Sequence, residues 1–231
     1  MARVRTRIKF CGLVRPDDID TAVALGVDAI GFVFYPKSPR YLDAVTAASL
    51  RRRLPSWVTA VGLVVNESVD TVQQLRSTVG LDVVQFHGDE TLTLCDQAAG
   101  ALPWWRAVRM RGPGDLLESA RNFPGAEALL VDSFHAGYGG SGQMFDWSWI
   151  PADRPVPLVL SGGLDPDRVT VAIEHVAPFA VDVSSGIQGS NPRIKDPALM
   201  ERFVAAVLDA DSRRCSQTYL KLKADETLRP S

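Results

Sequence analysis

The amino-acid sequence predicts an α/β fold, a single (β/α)8 barrel of the TIM-barrel type. Short apolar runs alternate with stretches of helical periodicity along the chain, a pattern typical of parallel βαβ units. Eight such units can be distinguished. The chain has 231 residues, which is close to the roughly 250 residues that a closed eight-unit barrel usually needs.

The first unit shows why each element is expected. Arg7–Cys11 is a short apolar strand, and Pro16 followed by two aspartates is typical of a helix start. Gly26 ends that helix. The next run, Ala29–Phe34, is almost continuously apolar, as in a strand buried on both faces of a parallel sheet.

The same alternation continues to the C-terminal region. Further strands are predicted at Thr59–Val65, Asp82–Phe86, Trp105–Arg109, Ala128–Asp132, Pro157–Ser161 and Ala180–Ser184. Helices are predicted at Ala44–Leu54, Ser68–Val79, Leu92–Ala99, Asp115–Asn122, Pro166–His175 and Pro197–Leu208, with at most a short helix near Trp147–Ile150. We therefore assign residues 1–208 to the barrel. The polar, aperiodic residues 209–231 are predicted to form a frayed or disordered tail.

The rival architecture is an open, doubly wound sheet. It would usually have fewer units and a dinucleotide-binding fingerprint after the first strand. The turn from Cys11 to Arg15 reads CGLVR instead of GxGxxG, so the closed barrel is favoured.

Composition excludes several classes of protein. The 25 basic and 27 acidic residues give a net charge of −2, so neither a strongly basic nucleic-acid binder nor an acidic disordered protein is expected. No apolar run approaches the roughly 18 residues of a membrane span, and the N-terminus has no readable signal peptide. The three cysteines, an odd number at wide spacing, favour a reducing, cytoplasmic compartment. No metal site and no cofactor are expected, and monomer or homodimer both stay open.

The residues with unusual chemistry follow the predicted strands, at the end of the barrel where such folds place their active sites. Cys11 ends the first strand, and Lys9 points to the same side two residues earlier. A nearby ammonium would lower the pKa of the thiol and favour the thiolate. A small buried hydrophobic residue is the alternative interpretation of Cys11.

A carboxylate, Asp132, closes the buried run Ala128–Val131. Such a carboxylate is costly unless it is paired or functional, although capping of a loop is an alternative role. Asp182 is its competitor. It lies inside the eighth strand, where the residues alone favour a structural hydrogen-bonding role.

Two glycine-containing turns follow the seventh and eighth strands. They are Ser161-Gly162-Gly163 and Ser184-Ser185-Gly186, at the positions where barrel enzymes commonly bind phosphate through backbone N–H groups. Each turn is a weak signal alone, and together they predict a phosphate site. In the loop after the second strand, Arg40 can bind a carboxylate with two hydrogen bonds, or simply be solvated. The glycine-rich segment 137–142 is a candidate lid.

These motifs together resemble the phosphoribosylanthranilate isomerase family of tryptophan biosynthesis, over residues 7–208 and in the family's order. The motifs are Lys9–Leu13, Gly31–Tyr41, Val84–Glu90, Gly139–Gly142, Phe145–Trp147, Leu160–Leu164 and Val181–Gly186.

The resemblance implies an Amadori rearrangement of N-(5-phosphoribosyl)anthranilate without a cofactor. It implies that Cys11 is the general base, Asp132 the general acid and Arg40 the partner of the anthranilate carboxylate. The substrate-binding residues would further be His87, Gly162, Gly163, Asp182, Ser184, Ser185 and Gly186. Gln143 stands where the family often has a basic residue. A histidine-pathway type of phosphosugar isomerase and a non-catalytic phosphate-binding protein are the alternative functions.

Overall fold

A computed structural model of the chain describes residues 5–133 and 145–227, with side chains as far as residue 216. The glycine-rich segment 137–142 and Gln143 lie outside the described residues, so the lid hypothesis and the departure at Gln143 stay as predictions.

Eight parallel strands form a closed barrel in which each strand pairs with the next along the chain and β8 pairs with β1. The strands are β1 Arg7–Cys11, β2 Ala29–Val33, β3 Thr59–Val64, β4 Val83–Phe86, β5 Trp104–Met110, β6 Ala128–Ser133, β7 Leu158–Leu160 and β8 Ala180–Val183. This confirms the predicted fold class, and each strand lies within about two residues of its predicted bounds.

Helices surround the barrel and connect the strands. They are α1 Pro16–Ala24, α2 Ala44–Arg51, α3 Val69–Val79, α4 Leu92–Ala99, α5 Asp115–Asn122, α6 Val169–Val176 and α7 Pro197–Thr227. Between β6 and β7 the described residues form a short 3-10 helix at Trp147–Trp149, close to the predicted place.

Polar side chains fix where several helices begin. Asp43, Ser68 and Thr91 each accept a hydrogen bond from the backbone N–H three residues later, which satisfies a donor that the first helical turn leaves free. Helix α6 begins at Val169 and not at the predicted Pro166, because the Asp165 carboxylate accepts from two backbone N–H groups and holds a turn there.

Side chains alternate between two packed layers along every strand. Outward residues such as Phe10 pack against the helices, where its ring lies 6.0 Å from that of Phe203 in an edge-on contact. Inward residues such as Ala107, Leu130 and Val159 fill the barrel interior. Above this packed interior, a pocket opens at the end of the barrel where the strands terminate.

The C-terminal prediction needs correction. Helix α7 does not end at the predicted Leu208 but continues to Thr227, so residues 209–227 are helical. Asp211 is buried and accepts hydrogen bonds from Thr6 N and Thr6 Oγ1, both at 2.7 Å. These contacts join the helix to the chain just before β1.

Of the helices in the described residues, none is long and apolar enough to cross a membrane.

Candidate active site

A pocket opens at the carboxyl ends of the strands. Its lining includes nine of the ten predicted site residues: Cys11, Arg40, His87, Asp132, Gly162, Gly163, Asp182, Ser184 and Ser185. Gly186 is not among them. Val33, Leu63 and Val65 supply an apolar wall, so the pocket offers both a surface for an apolar ring and polar groups for its substituents.

Cys11 is buried at the end of β1. Burial raises the pKa of its thiol, and the attraction of the nearby Lys9 ammonium only partly opposes this effect. Lys9 does lower the pKa of Cys11, as expected, but burial outweighs this contribution and the net shift is upward. The reason is that desolvation penalises the thiolate, while the carboxylate of Asp182 pairs with Lys9 and itself disfavours a second negative charge.

Lys9 forms an ion pair with Asp182, which lines the pocket, while Lys9 itself does not line it. Lys9 Nζ donates to Asp182 Oδ1 at 2.7 Å, and Ser161 Oγ donates to Asp182 Oδ2 at 3.2 Å. Burial alone lowers the pKa of Lys9, but its contacts with Asp182 and Cys11 raise it above the ordinary value. Lys9 is thus a fixed positive charge beneath Cys11, and Asp182 has the hydrogen-bonding contacts expected of a structural residue while also lining the pocket.

Gly31 makes the room for these groups. It pairs with Cys11 across β1 and β2. A Cβ atom at Gly31 would lie 2.8 Å from Cys11 Sγ and 3.2 Å from Lys9 Nζ. Any side chain here would displace the thiol, a constraint that becomes visible only when the strand register is known.

Asp132 is 7% exposed at the end of β6. Burial raises the pKa of its carboxyl to about 6, even though Oδ1 accepts a hydrogen bond from Ser133 N at 2.8 Å. A carboxyl with this pKa keeps a useful fraction of its proton near neutral pH. Gly162 packs against it, because a Cβ at Gly162 would lie 2.9 Å from Asp132 Oδ1.

His87 stands beside this carboxyl. His87 Nε2 lies 3.7 Å from Asp132 Oδ2, and Nδ1 lies 3.1 Å from Gln85 Nε2. Burial lowers the pKa of His87 to about 3, so the imidazole is neutral. A neutral imidazole leaves Asp132 free to hold its proton, since it adds no positive charge that would favour the carboxylate.

Arg40 reaches the pocket from the loop between β2 and α2. Its side chain lies over Gly12, where a Cβ would approach Arg40 Cδ to 2.4 Å, and Arg40 Nη2 donates to Gln188 Oε1 at 2.6 Å. Arg193 Nη1 donates to Pro39 O at 2.8 Å. These contacts join the two loops and orient the guanidinium. Burial lowers the pKa of Arg40, but arginine remains protonated in proteins.

The two predicted phosphate turns pack tightly together. Gly162 and Gly163 have left-handed φ angles of +87° and +67°. Gly186 belongs to a 3-10 helix, Ser185–Ile187, and a Cβ on it would lie 2.0 Å from Leu164 O. Gly186 therefore lets the turn after β8 approach the turn after β7, although it does not itself line the pocket.

Several residues of the site were missed by sequence reasoning. Lys195 is 2% exposed, and its Nζ donates to Ser184 O at 2.8 Å. Gln188 contacts Arg40 and Gln85 contacts His87. Gln85 had a usable signal, since it is the polar residue in an otherwise apolar strand. Gln188 and Lys195 lie in an irregular loop whose pattern gave none.

This arrangement defines a class of protein. A buried thiol, a carboxyl of raised pKa, a guanidinium and two glycine turns at one barrel mouth are typical of (β/α)8 enzymes that act on small phosphorylated molecules by acid–base chemistry. In the two described segments, no group of three or more His, Cys, Asp or Glu side chains is placed to hold a metal ion.

Comparison with known proteins identifies the family. A family model described as N-(5'phosphoribosyl)anthranilate (PRA) isomerase matches residues 8–206. The chain therefore belongs to the N-(5'-phosphoribosyl)anthranilate isomerase family, which confirms the resemblance and its assignment as an isomerase of tryptophan biosynthesis.

Individual relatives support this assignment. The chain is 51% identical, over 92% of its length and 96% of the relative's, to an N-(5'-phosphoribosyl)anthranilate isomerase of Leptothrix cholodnii. A solved structure of monomers of the dimeric phosphoribosylanthranilate isomerase of Thermotoga maritima is 38% identical with a TM-score of 0.79, covering 88% of this chain and 99% of that one. A solved isomerase in complex with reduced 1-(o-carboxyphenylamino)-1-deoxyribulose 5-phosphate has the same identity, TM-score and coverage.

Proposed function

We propose that this pocket converts N-(5-phosphoribosyl)anthranilate into 1-(2-carboxyphenylamino)-1-deoxyribulose 5-phosphate, with Asp132 as general acid and Cys11 as general base. The observation that supports this most strongly is the pairing of two groups with different tasks at one pocket. Asp132 has a pKa raised to about 6, and Cys11 lies above a buried ammonium.

Asp132 acts first. It donates its proton to the ring oxygen of the ribose as the bond between that oxygen and C1' breaks. The lone pair of the anthranilate nitrogen forms a C1'=N bond, which leaves a positive charge on nitrogen. Burial disfavours the carboxylate and so keeps a fraction of the Asp132 side chains protonated near neutral pH, which makes this proton available to the substrate.

Cys11 acts second, as the thiolate. It takes the proton from C2', and the electrons of the C2'–H bond form a C1'=C2' bond while the C1'=N electrons return to nitrogen. The resulting enolamine gains a proton at C1' and loses the hydroxyl proton at C2', which gives the ketone. Both the substrate cation and Lys9 favour the thiolate in this step.

The remaining residues bind and orient the substrate. Arg40 binds the anthranilate carboxylate, and the turns at Gly162–Gly163 and Ser184–Gly186 bind the phosphate through backbone N–H groups. His87 contacts the substrate next to Asp132, and Asp182 contributes by holding Lys9. We further propose a monomer or homodimer that works in the cytoplasm with a small phosphorylated substrate.

The test follows the loss of anthranilate-type fluorescence from N-(5-phosphoribosyl)anthranilate with purified protein. Cys11→Ala and Asp132→Asn should each lower kcat by about 10²-fold or more, while Cys95→Ala, the matched change at a buried thiol outside the pocket, should keep the rate. Binding of a phosphorylated ligand without any turnover would instead support a non-catalytic binding protein. Near-normal rates for Cys11→Ala would refute its role as base.

The pH profile provides a second test. The active state has Asp132 protonated and Cys11 ionised. Because Asp132 is the stronger acid of the two, only a small fraction of the protein is in this state at any pH. The population of this state is constant between the two pKa values and falls tenfold per pH unit outside them. We expect kcat/KM to form a broad plateau whose acidic limb lies near pH 6. A profile that falls steadily through neutral pH would contradict the assignment.

A further inference from the structure

We propose that Lys195 is a positioning residue of the phosphate site. In this role its ammonium turns the Ser184–Ser185 peptide so that the Ser185 N–H faces the pocket, and it supplies a positive charge behind the bound phosphate. The inference rests on the proposed function, because it assumes a phosphorylated substrate at this turn.

The orientation follows from peptide geometry. Lys195 Nζ donates to Ser184 O at 2.8 Å and to Ser184 Oγ at 3.4 Å. Ser184 and Ser185 line the pocket, whereas Lys195 is nearly fully buried and does not line it. The described residues contain no cis peptide bond, and in a trans peptide the C=O and the following N–H point in opposite directions. Since Lys195 holds the Ser184 carbonyl away from the pocket, the Ser185 N–H points toward it.

The same contacts connect the phosphate turn to the base. Ser184 Oγ accepts from Lys195 and donates to Cys11 O at 2.9 Å. The backbone N–H of Lys195 contacts Asp18 Oδ2 at 3.3 Å, which anchors the residue on α1. Lys195 is therefore held from both ends, so its ammonium occupies a defined position behind the turn.

The charge of Lys195 has no carboxylate partner within ion-pair distance among the described side chains. A buried ammonium in that situation is unfavourable, and burial lowers its pKa to about 8, with Arg40 contributing in the same direction. A dianionic phosphate in the pocket would be its missing counter-charge. The protonated form, which dominates near neutral pH, is the form that the ligand needs.

The experiment compares two ligands that differ only in the phosphate: reduced 1-(o-carboxyphenylamino)-1-deoxyribulose 5-phosphate and its dephosphorylated form. Calorimetry measures both dissociation constants for the wild-type protein, Lys195→Met and Arg52→Met. Arg52 is exposed at the end of α2 and controls for net charge. We expect Lys195→Met to weaken the phosphorylated ligand about tenfold or more and the dephosphorylated one less than about twofold, while Arg52→Met changes neither.

Unchanged affinity for the phosphorylated ligand in Lys195→Met would overturn the inference, and so would an equal loss for both ligands. Because this readout is binding, it is independent of turnover: a wild-type protein without isomerase activity would refute the proposed function and leave the Lys195 comparison intact.

If Lys195→Met does not fold, the pH dependence of ligand binding by the wild-type protein tests the inference instead. The charged groups facing Lys195 are Arg40 from the β2–α2 loop, Cys11 from β1, Asp18 from α1 and Asp182 from β8. Burial raises the pKa of the Asp18 carboxyl from its ordinary 3.8, Arg40 stays protonated, and burial raises the pKa of Cys11 above its ordinary 9.0. Affinity for the phosphorylated ligand should therefore fall several-fold between about pH 8 and pH 9, with no fall for the dephosphorylated one. A flat ratio between the two ligands would contradict the inference.

Discussion

Replacing Asp132 with asparagine should abolish catalysis and at the same time stabilise the fold at alkaline pH. The carboxylate is buried at the end of β6, next to a neutral imidazole and without a salt bridge to any lysine or arginine of the described residues. Ser133 N donates a hydrogen bond to its Oδ1. Asparagine keeps an oxygen for that N–H but has no charge to desolvate.

The size of the effect follows from the pKa of Asp132. Burial raises this pKa from the ordinary 3.8 to about 6. The folded state therefore binds this proton more tightly than the unfolded state does. The stabilisation by the bound proton is fully present below pH 3.8, the ordinary pKa that applies to the unfolded chain. It is lost as the pH rises through about 6, the pKa of Asp132 in the folded state. A difference of about two units corresponds to roughly 3 kcal/mol, which is the upper limit for the gain in Asp132→Asn at about pH 8.

Urea unfolding at about pH 8 and about pH 4 measures this difference. We expect a clear gain in the free energy of unfolding for Asp132→Asn at the higher pH, shrinking to a few tenths of a kcal/mol at the lower pH. The control is Asp43→Asn, at an exposed carboxylate whose pKa is lowered by its hydrogen bond to Thr46 N, so no gain is expected there. An Asp132→Asn protein that is no more stable at pH 8, or equally stabilised at both pH values, would refute the desolvation argument.

Three further substitutions test the site. Arg40→Lys should raise KM several-fold with a smaller effect on kcat in steady-state assays, because an ammonium cannot bind a carboxylate with two parallel hydrogen bonds; an unchanged KM would contradict this. Asp182→Asn leaves a buried ammonium unpaired and should cost about 3–5 kcal/mol in urea unfolding, and a loss below about 1 kcal/mol would count against a tight ion pair. Gly31→Ala should lower kcat because its Cβ would lie 2.8 Å from the sulfur of the base, whereas Gly114→Ala, with open space around its Cβ, should be neutral.

Much of the fold was predictable because the strands are buried on both faces. Such strands appear in the sequence as continuous apolar runs, and all five residues of β2 are buried in the structure. Chain order then fixes the topology, since right-handed βαβ units place consecutive strands side by side. Once the barrel is closed, all strand ends meet at one mouth, so Cys11 and Asp132 could be assigned to one pocket without knowing any distance.

The rest of the site depends on contacts between residues far apart in the chain. Lys9 and Asp182 are 173 residues apart, and their pairing follows from the register of β1 against β8. Because that pairing was not known, the influence of Lys9 on Cys11 was overestimated. The end of α7 was predicted too early for a similar reason: Asp211 is a polar residue, and its buried hydrogen bond joins it to Thr6, 205 residues earlier in the chain.

The burial that favours Asp132 as the proposed acid also disfavours the thiolate of Cys11, the proposed base, and this apparent conflict has a physical resolution. Without substrate, desolvation raises the pKa of both groups, so that the Cys11 thiol is neutral and Asp132 keeps a fraction of its proton near neutral pH. A neutral thiol is also the less reactive form toward oxidants. In the proposed mechanism, ring opening produces a cation on the substrate, and this charge adds to that of Lys9 in favouring the thiolate. The proposed order of the two proton transfers follows from this, because Cys11 becomes fully effective as a base only after Asp132 has acted.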